Sequence, residues 1–181
     1  MSEQAALNIR TFIPSDLAQV HELFASGLME FAGDIENEVR RYVDNSLKTD
    51  LADIPGEYLS PRRGNFWVAD SGGTVVGIVG IQPTEREDEA ELRRMSVSSS
   101  VRRQGIGRRL LETTEGFCRT NDYHRISLST VGILQPAIAM YRNFGYTTVK
   151  EEPYGEALIV HYLVKELDPV TCKSAGRLSG L

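Results

Sequence analysis

One stretch constrains the fold more than any other: Glu91-Leu-Arg-Arg-Met-Ser-Val-Ser-Ser-Ser-Val-Arg-Arg-Gln-Gly-Ile-Gly-Arg-Arg-Leu-Leu111. It begins as a strand, ending on the β-branched Val97, and three serines then favour a local turn. From Ile106 the apolar residues take up helical period, with Ile106, Leu110, Leu111, Phe117 and Cys118 on one face. Arg108, Arg109, Glu112, Glu115 and Arg119 are placed on the opposite, outward face, where Glu115 and Arg119 form a favourable i,i+4 pair.

The turn between the two elements, Arg102-Arg103-Gln104-Gly105-Ile106-Gly107-Arg108, has the makings of an anion cradle. The first turn of a helix has amides without intrahelical partners and carries the positive end of the helix dipole. Two glycines admit a bulky anion to the backbone and the arginines add charge, which suits a pyrophosphate. Glycine spacing alone would equally describe an ordinary turn with solvated arginines. Two other phosphate motifs fail on detail. No Lys-Ser/Thr follows Gly107, as a Walker loop requires, and position 110 is leucine where a dinucleotide fingerprint wants a third glycine.

A chain of 181 residues predicts one domain, here residues 1–167, with 168–181 as a flexible polar tail. Net charge of −5 argues against a nucleic-acid partner, whose phosphates call for basic surface. Two cysteines, Cys118 in a helix core and Cys172 in the tail, make no disulfide framework and suit a reducing, cytoplasmic setting. No apolar run reaches the roughly 18 residues of a membrane helix, and no signal peptide opens the chain.

Along the chain, Leu7–Ile13 reads as a strand, followed by a helix capped by Ser15 or Asp16 and a second helix opening at Asp34. Asp53–Leu59 is a structured loop, and Arg62 and Arg63 after it are expected in solvent. Phe66–Ala69 and Thr74–Ile81 form a hairpin across Asp70-Ser-Gly-Gly73. Arg125–Leu128 is a buried strand and Gln135–Phe144 a helix stopped by Gly145. Tyr146–Glu151 and Ala157–Val164 close the pattern as an antiparallel pair. His21, His124 and His161 have no second ligand at metal spacing, so no metal is expected. His161 is the one histidine with a claim on a substrate groove.

Arg102-x-x-Gly105-x-Gly107 after Glu-Leu-Arg-Arg-Met-Ser-Val resembles the acetyl-CoA motif of the GNAT superfamily of N-acetyltransferases. Phe66-Trp-Val-Ala-Asp and Gly73-Thr-Val-Val-Gly77 are similar to that family's second and third strands. Ala137-Ile-Ala-Met-Tyr141-Arg-Asn-Phe-Gly-Tyr146 resembles its Ala-x-x-Leu-Tyr-x-x-x-Gly-Phe helix and exit, and the likeness covers residues 7–166. It implies an α/β domain with a mixed, mostly antiparallel sheet flanked by helices. It also implies acetyl-CoA as cosubstrate and direct attack by a primary amine.

Such a transfer needs a neutral amine, a stabilised oxyanion and a protonated leaving thiolate. By resemblance, Glu91, placed 11 residues before Arg102, is the base, acting directly or through water. Alternation aims Glu91 and Arg93 to the same face. Met95, Ser96 and Val97 would lend backbone groups to the cosubstrate, and Tyr141 would protonate the thiolate. Leu134 departs from the family, which often carries asparagine seven residues before the tyrosine.

Asp53-Ile-Pro, Phe66-Trp-Val-Ala-Asp and Glu91-Leu-Arg-Arg-Met-Ser-Val-Ser are similar to the camello-type branch, which includes aspartate N-acetyltransferase. Members of that branch carry a long apolar insertion between the first two helices, where this chain has only Glu30-Phe-Ala-Gly-Asp34. The branch implies a small amine acceptor, an amino acid or its conjugate, whose carboxylate Arg93 or Arg94 would bind. One of those arginines is expected to face solvent. Transfer to protein amines, a non-catalytic acyl-CoA-binding module and a homodimer all stay open.

Overall fold

The computed structural model describes residues 6–155 and 158–168. Its described residues build a sheet in the order β1-β2-β3-β4-β5-β7-β6, from β1 (Leu7–Thr11), β2 (Asn65–Ser71), β3 (Thr74–Pro83), β4 (Glu89–Val97), β5 (Arg125–Val131), β6 (Thr147–Tyr154) and β7 (Leu158–Glu166). Neighbours pair antiparallel except β4 and β5, which run parallel. Helices α1 (Leu17–Met29) and α2 (Glu36–Lys48) cover one face, and α3 (Ile106–Thr120) and α4 (Gln135–Asn143) the other. This is the expected α/β architecture.

Alternation along the strands sorts the core into two layers. Phe66, Val68 and Ile78 point toward α1 and α2, where Val20, Phe24, Leu51, Ile54 and Tyr58 meet them. Trp67, Val79, Ile81 and Leu92 point the other way, against Leu110, Leu111 and Cys118 of α3. The hairpin turn is closed by Gly72 and Gly73 at φ 62° and 89°. The Asp53–Leu59 loop is structured, as expected: Ile54 and Tyr58 are fully buried in it.

Three side chains depart from the sequence expectation. Asp16 does not cap α1. Its carboxylate takes two hydrogen bonds from Arg10, at 2.8 and 2.9 Å, and one from the Ile13 amide, at 2.9 Å. Glu115, assigned to the outward face of α3, is buried between Lys165 of β7 and Arg119, the latter at 3.1 Å. Arg63 is not in free solvent. Its guanidinium lies 3.9 Å from the Tyr123 ring centroid and donates to the Glu87 carbonyl at 2.9 Å. For Glu115 and Arg63 a partner distant in sequence claims the charge, whereas Asp16 is claimed by Arg10, six residues away on the neighbouring strand.

The expectations for residues 1–5, for Ala157 as a strand start and for the 169–181 tail, Cys172 included, concern residues outside those described. Among those described, no helix is long and apolar enough to cross a membrane, and no group of three metal-ligating side chains gathers.

Candidate active site

Two features of β4 create the site. The first is a split. β4 and β5 pair only at Glu89↔Arg125, Ala90↔Ile126 and Glu91↔Ser127, then diverge. Since the two strands are parallel and α3 follows one while α4 follows the other, the V opens toward the N-termini of both helices. The second is a bulge. β3 pairs Gly80 with Arg93 and Ile78 with Ser96, so Arg94 and Met95 together oppose Val79. Arg94 has a left-handed φ of 56°, a conformation costing about 1–3 kcal/mol for a residue other than glycine.

The bulge changes which way the side chains face. Ala90 and Leu92 enter the α3 layer, so Glu91 and Arg93 face α1 and α2, as alternation predicts. Arg94 faces the same side as Arg93, reaching Asp50 and the Phe24 ring, and only Met95 returns to the α3 layer. Neither arginine is simply solvated: Arg94 is buried, and Arg93 donates to Gln82 Oε1 at 2.8 Å while keeping 31% of its side chain exposed.

On the α3 side, the glycine turn has the shape of a cradle. Gly105 sits at φ 78°, a region glycine occupies freely, and a Cβ there would meet nothing within 4 Å. The Arg109 amide bonds the Gly105 carbonyl at 3.0 Å, so the amides of Ile106, Gly107 and Arg108 precede the helix ladder. Arg103 and Gln104 are exposed beside them. Arg102 and Arg108 are already engaged. Arg102 grips Glu30 at 2.8 and 2.7 Å and the Val97 carbonyl at 3.2 Å, and Arg108 bonds Glu112 at 2.8 Å. Net positive charge at the turn therefore rests more on the helix end and Arg103 than on a run of free arginines.

At Gly107 the side chain of Met140 on α4 approaches closely. A Cβ there would stand 2.9 Å from Met140 Sδ and 3.5 Å from Met95 Cε. Met140 was not singled out in the sequence; only the approach of α4 to α3 reveals it. The adjacent Tyr141 is 5% exposed and makes an edge-to-face contact with Tyr146 at 5.8 Å. Burial pushes its phenol well above the ordinary 10.0, so it stays protonated. Ser96 turns its hydroxyl to the Leu23 carbonyl of α1, at 3.4 Å, leaving only its backbone toward the split.

On the opposite face, Glu91 lines a pocket of about 390 Å³ in which Ser127, Ser129, Lys150, Glu152 and Tyr162 are set among Leu128, Val149 and Val164. Farther along β5 and β7 the same face becomes apolar. Leu28, Val39 and Tyr42 of α1 and α2 there enclose a cavity of about 100 Å³ with Val131, Ile133, Tyr154, Leu158 and Val160. His161 lines neither pocket, although its neighbours Val160 and Tyr162 do, and it pairs with Glu151 across the β6–β7 ladder at 2.9 Å. Cys118 is buried and its thiol pushed up to about 12 by that burial, which leaves no thiolate nucleophile there. His21 bonds the Leu51 carbonyl at 2.7 Å and is structural.

Comparison with known proteins places this geometry in context. Residues 30–146 match the acetyltransferase (GNAT) family. An N-acetyltransferase 8 from Rattus norvegicus is 40% identical over 116 residues, 62% of this chain and 52% of that protein. An N-acetylaspartate synthetase from Danio rerio is 40% identical over 110 residues, 61% of this chain and 39% of that protein. This chain therefore corresponds to about half the length of such relatives, or less. Among solved structures, the PaiA N-acetyltransferase of Thermoplasma acidophilum, in complex with coenzyme A, superposes with a TM-score of 0.72. It is 16% identical, covering 89% of this chain and 99% of that one, a likeness of fold.

Proposed function

The chain belongs to the acetyltransferase (GNAT) family, and from that premise we propose that it moves an acetyl group from acetyl-CoA to a primary amine. The observation that carries the proposal is the split between β4 and β5, opening onto the glycine start of α3. The amides of residues 104–108 would hold the pyrophosphate, with Arg103 nearby, and the bared backbone of Met95, Ser96 and Val97 would align the pantetheine arm. Acetyl-CoA supplies the activated acyl thioester.

The residues divide the proton work. Glu91, on the α1–α2 face, takes a proton from the attacking amine, directly or through a water in the pocket it lines. As the nitrogen–carbon bond forms and the carbon–sulfur bond breaks, Tyr141 donates its phenolic proton to the leaving sulfur. Burial supports that role, because it holds the phenol protonated.

The acceptor is an amine bearing a carboxylate, bound by the exposed part of Arg93, a reading supported by the similarity to the Danio rerio N-acetylaspartate synthetase. The cavity walled by Leu28, Val39 and Tyr42 lies on the same face and suits an apolar substituent on that amine. An amino-acid conjugate meets both conditions.

The test is CoA release on incubation with acetyl-CoA and a panel of amino acids, their apolar conjugates, matched decarboxylated amines and peptides. Amino-acid conjugates are expected to react best, with the carboxylate preference lost in Arg93→Ala. Preference for peptides would replace this acceptor class, and no turnover with any amine would point to an acyl-CoA-binding module. For the cradle, Gly105→Glu should abolish acetyl-CoA binding in calorimetry by adding bulk, charge and strain at a positive φ. Unchanged affinity in the folded variant would remove the cradle from the proposal.

A further inference from the structure

Arg94 is the most heavily engaged side chain in β4, and the transfer reaction does not use it. Its Nε and Nη2 donate to both oxygens of Asp50, at 2.8 and 2.5 Å, and its Nη1 donates to Tyr42 Oη at 3.0 Å and Ser46 Oγ at 2.9 Å. The guanidinium lies 5.2 Å from the Phe24 ring centroid. Asp50, at the end of α2, also accepts the Tyr58 hydroxyl. Both members of the ion pair are buried, with side chains 6% and 7% exposed. The pair thus ties the bulge of β4 to Tyr42 and Ser46 of α2 and, through Asp50, to Tyr58 of the loop that follows.

That bulge is the segment of β4 that diverges from β5, and α2 supplies Val39 and Tyr42 to the apolar acceptor cavity. Arg94 contacts both at once, since Tyr42 belongs to the cavity wall and to the arginine's own hydrogen bonds. We propose that Arg94 and Asp50 are positioning residues, fixing the acceptor wall on α2 in register with the strand that presents the thioester. The proposal rests on the functional reading above. Lysine cannot replace the arginine here, because one ammonium cannot reach both carboxylate oxygens, a phenol and a serine in the same plane.

The experiment compares Arg94→Lys, Asp50→Asn and the milder Ser46→Ala with the unaltered protein. Measured for each are acetyl-CoA affinity, kcat and KM for an apolar amino-acid conjugate and for a small amine, and thermal stability. A shift of about 1 Å between reacting groups can cost about 100-fold. Arg94→Lys and Asp50→Asn should therefore lose about 10- to 100-fold in kcat/KM for the conjugate, while acetyl-CoA affinity stays within about twofold. The ratio of kcat/KM for conjugate over small amine should fall in all three variants. A pair that only stabilised the fold would lower the melting temperature and leave that ratio unchanged, as measured well below melting. An unchanged ratio in folded Arg94→Lys or Ser46→Ala overturns the proposal. If the unaltered protein binds acetyl-CoA yet acetylates no amine, the functional reading fails. Amide hydrogen exchange then decides the coupling: Ser46→Ala should speed exchange in residues 93–97 and 39–48 together, and an effect on one segment alone rejects it.

Discussion

Glu91 and Tyr141 lie on opposite faces of the sheet, and their proposed duties separate in the same way. Each acid or base group typically contributes about 100- to 10,000-fold. Glu91→Gln is expected to reduce kcat most at neutral pH and least at high pH, where the amine is already neutral. Tyr141→Phe should reduce kcat while sparing acetyl-CoA affinity. A phenol raised above its ordinary 10.0 remains a proton donor past that pH, so kcat should not fall near pH 10 for want of this proton. Near-normal kcat across pH in both variants would shift the chemistry to water or backbone groups.

At the scale of elements, Lys165 of β7 joins three parts of the fold. Its ammonium meets Glu115 of α3 and the Phe144 carbonyl at the end of α4, the latter at 2.6 Å. Removing one member of a buried pair typically costs about 3–5 kcal/mol. Lys165→Met should approach the lower part of that range in urea unfolding, and adding Glu115→Gln should recover part of the loss. A loss below about 1 kcal/mol would mean that Arg119 alone satisfies Glu115. The same element shows what the sequence conceals. Helical period correctly placed Ile106, Leu110, Leu111 and Cys118 in the core, and it placed Glu115 outside because the lysine that buries it is 50 residues away. The strand–turn–helix of the cradle was legible because all its parts are local. The bulge at Arg94 was not, since no residue type announces it and Asp50 is 44 positions distant. Alternation nevertheless placed Glu91 and Arg93 correctly, because the irregularity begins just after them.

For the molecule as a whole, the two buried aspartates bear on its response to acid. Hydrogen bonds from Arg10 hold Asp16 below the ordinary carboxylate value of 3.8. Burial alone would raise Asp50, but bonds from Arg94 and Tyr58 outweigh it and leave it lowered as well. A depressed folded pKa contributes stability that is present above the unfolded value and lost as pH falls through the folded one. Urea midpoints should therefore drop steadily below about pH 4, and the slope should be shallower in Asp16→Asn and in Asp50→Asn. An equally steep decline in both variants would assign acid sensitivity to other carboxylates. The split in the sheet has a further effect at this scale. An unbroken sheet has two free edges, whereas this one has four among the described residues: β1 and β6 outside, and the diverging lengths of β4 and β5 within. Unpaired edges invite a strand from another chain. A pantetheine arm lying along the inner pair, as proposed, would therefore do for the protein what a plug does for an open socket, and the empty form would be the more sociable of the two.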